Sequence, residues 1–88
     1  MTEFSLKDYK HPEIHAGDII DLKQYAVMNR GVVIGHKPTG IGEVPFLVLS
    51  LNKEEIDGAW KEFTVMELDT GNTRLINIFQ HDIVEILA

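Results

Sequence analysis

Two short apolar runs, Val32-Val33-Ile34 and Phe46-Leu47-Val48-Leu49, lie within residues 31–51, joined by a connection punctuated by Pro38, Gly40 and Gly42. Both are rich in β-branched or bulky side chains and too short for a stable helix, so they predict consecutive strands. The second run is apolar on both of its faces. A flat sheet of so few residues leaves one of those faces bare, so the sheet is expected to curl until one face encloses a core.

The remaining chain divides into further strands. Ala16-Gly17-Asp18 opens a strand over 18–23, with Ile20 and Leu22 on one face and Ile19 and Asp21 on the other. Residues 24–30 fit either a strand extension or a curled loop ending in the turn Asn29-Arg30-Gly31. Strands follow over 31–36 and 44–51, with Pro45 near the start of the latter, where its missing N–H is tolerated. Residues 52–59 form the longest polar interruption, with one helical turn open over 53–56. An alternating strand over 60–69 places Phe63 and Val65 on one face. A tight turn at Thr70-Gly71-Asn72 leads to its return strand over 73–78. A short turn at 79–82 precedes a final strand over 83–87. Six short strands predict an all-β fold: a small five- to six-stranded, strongly bent antiparallel sheet or barrel. Pro12 breaks any helix that reaches it. Residues 1–15 therefore read as an N-terminal arm, laying Phe4, Leu6 or Tyr9 onto a barrel domain at 16–88.

At 88 residues the chain suits one domain with a modest stability margin. It has no cysteine, which excludes thiol chemistry and thiolate zinc sites. No apolar run approaches the ~20 residues of a membrane span, and the N-terminus lacks a signal-peptide core; a cytoplasmic location is expected. Fourteen acidic residues against eight basic ones give a net charge of −6. The cations are scattered singly, five of the eight having a carboxylate within three positions. Generic nucleic-acid affinity, which needs clustered Lys and Arg, is disfavoured.

Three segments resemble the Src-homology-3-type small barrel, an architecture shared by Tudor and KOW domains and by short phage-encoded domains. Ala16-Gly17-Asp18-Ile19-Ile20 is similar to its entry strand, Arg30-Gly31-Val32-Val33-Ile34-Gly35 to its second strand, and residues 79–86 to its closing turn and last strand. The resemblance implies the barrel over residues 16–87 and a role in interaction. It transfers little else, because the fold serves many functions. Proline-rich ligands are not supported, since residues 24–30 offer only Tyr25 and no acidic residue. A Tudor-type cage needs convergent aromatics, for which Tyr25, Phe46 and Trp60 are the available set, with Phe46 better suited to the core.

No constellation of residues argues for catalysis. His36 and His81 have acid–base capability but no adjacent nucleophile or paired carboxylates, and His81-Asp82 suits a structural hydrogen bond in a turn. His11, Glu13 and His15 alternate, yet Pro12 and the arm offer no preorganised metal site. The loop Pro38-Thr39-Gly40-Ile41-Gly42 lacks the Gly-Lys-Ser/Thr ending and the following helix of a phosphate loop. No cofactor is implied. Trp60 beside Glu54 and Glu55 suits a partner contact, since Trp is enriched at interface hot spots.

The expected function is thus a non-enzymatic module binding another protein, phage-encoded or from a bacterial accessory gene, acting on a host factor or within an assembly. Tyr25, Ile41, Glu54, Glu55 and Trp60 are its candidate contacts. The alternatives are a KOW-like nucleic-acid-binding domain using Lys23, Arg30, Lys37 and Arg74, and a homo-oligomeric structural subunit assembling through edge strands such as 83–87.

Overall fold

A computed structural model describes residues 10–39, 44–56 and 58–88. Six strands follow one another: β1 (Ile19–Asn29), β2 (Val32–Pro38), β3 (Phe46–Glu54), β4 (Trp60–Glu67), β5 (Thr73–Phe79) and β6 (Ile83–Ile86). All pairings are antiparallel, and β3, β4 and β5 form a meander.

Strand β1 organises the rest because both its edges are used. Ile20 is paired with Phe46 of β3 and with Ile86 of β6, so those two strands lie on opposite edges. Gln24 is likewise paired with Pro38 of β2 and Ile83 of β6. Strands β3 and β2 therefore share one edge of β1 in succession, and β6 takes the other. Among the described residues β5 makes no ladder with β1 or β6, so the sheet curls without closing.

The side chains that face inward follow the two-residue period of a strand. Ile20 and Leu22 of β1, Phe46 and Val48 of β3, Phe63 and Val65 of β4, Ile78 of β5 and Val84 of β6 form one buried cluster, with Ile76 and Ile86 packed against it. Ile14, only 3% exposed, belongs to the same cluster. The segment before β1 is thus held by the core at Ile14, whereas the expected anchors Phe4, Leu6 and Tyr9 lie outside the described residues.

Two elements run three or more residues further than the sequence suggests, and β2 also takes in Lys37 and Pro38, expected in the loop. Strand β1 continues to Asn29, because the segment after Lys23 acquires β2 as a partner from Gln24 onward. Strand β3 continues through the polar residues Asn52, Lys53 and Glu54, because β4 supplies Glu62 and Lys61 opposite the last two. The helical turn considered over 53–56 therefore does not form.

The β1–β2 hairpin closes on the two residues Arg30 and Gly31, between the paired Asn29 and Val32. Both central residues have positive φ, 52° and 79°. That is the turn whose twist matches that of its strands. Glycine adopts it freely, while an arginine there carries roughly 1–2 kcal/mol of backbone strain.

Candidate interaction surface

The turn between β5 and β6 fastens three otherwise separate parts of the chain. Asp82 is 2% exposed. Its Oδ2 accepts the Phe79 N–H and its Oδ1 accepts the Ala26 N–H, each at 2.8 Å. Ala26 lies just past the stretch of β1 paired with β6, so the carboxylate stands in for the next strand carbonyl along that edge. The His81 carbonyl accepts a hydrogen bond of 2.8 Å from His36 Nε2 on β2, which places a proton on that nitrogen. Gln80 N–H donates to the Ala59 carbonyl at 3.0 Å, and His11 N–H donates to the Gln80 carbonyl at 3.2 Å. The turn thereby joins the β1–β2 hairpin, the β3–β4 connection and the segment before β1.

The β3–β4 connection is itself tightly folded. Glu55 N–H donates to the Trp60 carbonyl and Gly58 N–H to the Glu55 carbonyl, both at 2.9 Å. Gly58 takes φ 77°, a value side chains disfavour. This geometry lifts Ile56 fully into solvent. Glu54 stands across from Lys61, Oε2 to Nζ 3.9 Å. Trp60, half-buried, pairs across the sheet with Phe79, which is 42% exposed. An aromatic pair, an exposed isoleucine and two carboxylates therefore occupy one end of the sheet.

Of the residues the sequence marks as partner contacts, Glu54, Glu55 and Trp60 come together here. Tyr25, exposed on β1, lies one residue from the amide held by Asp82. Ile41 lies outside the described residues. The sequence reading missed Ile56 and Phe79. Ile56 lies between Glu55 and a turn signal, and Phe79 comes opposite Trp60 only through the β4–β5 register.

The four cations of the nucleic-acid alternative are differently placed. Lys23 Nζ lies 3.1 Å from Glu85 and 3.3 Å from Asp21. Hydrogen bonds to Glu85 and Asp21, with their charge, raise its pKa above the ordinary 10.5. Arg74 is 4.0 Å from Glu67. Arg30 sits at the hairpin tip, and Lys37 lies opposite Tyr25. Neither makes an ion pair with a described residue.

His15 approaches Glu13 at 3.5 Å, while the His11 ring bonds the Pro12 carbonyl at 2.7 Å. No three metal-binding side chains converge among the described residues. A cleft of about 210 Å³ is lined by Lys10, His11, Glu13, Lys61 and Gln80 together with Ile14, Phe63 and Ile78. No helix among the described residues is long and apolar enough to cross a membrane. No family model matches the chain, and neither a curated protein nor a solved structure matches it.

Proposed function

We propose that this chain is a non-enzymatic interaction module of the Src-homology-3 type, binding another protein through the end of the sheet built from Trp60, Phe79, Ile56, Glu54 and Glu55. The architecture is supported by its connectivity: a long first hairpin, a three-stranded meander, a short turn, and a last strand returning to the first. The observation that carries the functional reading is the exposure of Ile56 and Phe79 beside Trp60 on a hydrogen-bonded, preformed surface. Large side chains on a rigid frame lose little freedom on binding. The flanking carboxylates select a partner whose apolar contact is bordered by positive charge.

The nucleic-acid alternative must rest on Arg30 and Lys37, since Lys23 and Arg74 already face carboxylates. Affinity capture from a bacterial lysate separates the two. A partner retained after nuclease treatment, and lost with Trp60→Ala, supports the proposed function; recovery abolished by nuclease supports the alternative.

A further inference from the structure

The β1–β2 hairpin has the composition that the acidic end of the sheet selects for. Residues 22–42 contain no acidic residue and carry three of the eight basic ones; the other five stand among all fourteen acids. Lys23 is engaged by Asp21 and Glu85, which leaves Arg30 and Lys37 as the positive charge of the arm. The same hairpin exposes Met28, Val32 and Ile34, at 44, 62 and 53%. Beyond Leu22 neither strand contributes to the central cluster, and Val33 is the one buried apolar residue there. The arm is thus an apolar and cationic projection on an acidic molecule.

Its tip is also strained in an informative way. A two-residue turn of this kind is most readily made by Asn-Gly, yet Arg30 holds the first position at φ 52°. A charged side chain kept at the apex against a backbone preference points to a role for that charge.

We propose that the occupant of the acidic end is the β1–β2 arm of a second copy of this chain, with Arg30 set against Glu55 and the exposed side of Glu54, whose Oε2 lies 3.9 Å from Lys61 Nζ, and Val32 against Ile56. This rests on the partner-binding role proposed above for that end. Charge complementarity commits the arm to it: net charge opposes the approach of two copies elsewhere on their surfaces, and the arm is where that opposition reverses. The interface is heterologous, arm to acceptor, so it propagates from copy to copy.

Sedimentation velocity on the full chain, from about 10 μM to about 1 mM and at about 0.02 M and about 0.5 M salt, tests this. The wild type should form dimers and larger species as concentration rises, and high salt should weaken association about tenfold or more. Arg30→Glu and the double variant Glu54→Lys/Glu55→Lys, each checked by thermal melting to be folded, should be monomeric alone. Mixed in equal amounts they should associate, because the intact arm of the second meets the intact acceptor of the first, and the reversed tip of the first meets the reversed acceptor of the second. Val32→Asp should weaken association with the tip charge unchanged. A wild type that stays monomeric throughout, association indifferent to both charge variants, or a mixture that fails to associate each overturns the inference. A monomeric wild type leaves the partner-binding role to the capture experiment with Trp60→Ala, which fails or succeeds independently.

Discussion

Replacing Asp82 with alanine should be the most damaging single change outside the apolar core. The carboxylate accepts two backbone N–H groups at 2.8 Å, one from Phe79 in its own turn and one from Ala26, fifty-six residues away. It is 2% exposed, and no buried side-chain polar atom among the described residues lacks a partner. Hydrogen bonds to a charged acceptor are worth roughly 1.5–3 kcal/mol each, and deletion leaves both donors without it. The expected loss is about 3–5 kcal/mol, against a total of about 5–10 kcal/mol for a domain of this size. Thermal melting should fall by about 12–40 °C. The urea midpoint should fall with little change in slope, and hydrogen exchange at Ala26 and Phe79 should accelerate. Asp82→Asn, which keeps one acceptor but turns an amide donor toward the other N–H, should lose about half as much. A loss below about 1 kcal/mol for Asp82→Ala would refute the claim that this carboxylate fastens the hairpin to the turn.

Other consequences follow from the same structure. Arg30→Asn should raise stability by about 0.5–1 kcal/mol by relieving the tip, while Gly31→Ala should lower it by about 1–2 kcal/mol; chemical denaturation checks both. Ile14→Ala should cost about 2–4 kcal/mol, as for any buried isoleucine, and a cost near zero would detach that segment from the core. Lys23 has a raised pKa in the fold, so its contribution is fully present below 10.5 and is lost as pH rises through the higher folded value. The difference in melting temperature between wild type and Lys23→Met should therefore be constant from neutral pH to about 10 and shrink at higher pH.

The local pattern made much of the fold legible, and the limits of that legibility are instructive. Alternation alone put Ile20 with Leu22 and Phe63 with Val65, and both pairs are buried. It could not extend β1 through 24–29, because the partners of that segment are supplied by β2 and by a carboxylate more than fifty residues away. Nor could it extend β3 through Asn52, Lys53 and Glu54, whose polar side chains resemble a loop until β4 is seen opposite them. Ile14 stands two residues after Pro12, between Glu13 and His15, so nothing local marks it as core.

The candidate surface shows the same division. Glu54, Glu55 and Trp60 belong to one hairpin end and are close in sequence, so their grouping was readable. The pairing of Lys23 with Glu85 depends on the β1–β6 register, and that of Trp60 with Phe79 on β4–β5. Neither register is written in a single segment. The link from Tyr25 to the turn runs through the adjacent Ala26 amide and the Asp82 side chain, for which no motif exists.

Trp60 is the chain's single tryptophan, so a fluorine label on that residue reports from the proposed contact surface alone. Fluorine NMR of the fluorotryptophan-labelled protein, recorded as a captured partner or unlabelled chain is added, tests the central claim most directly. The account predicts that the resonance shifts or broadens in step with complex formation and that Glu54→Lys/Glu55→Lys weakens the response. A complex that forms while the Trp60 resonance stays unchanged would contradict it.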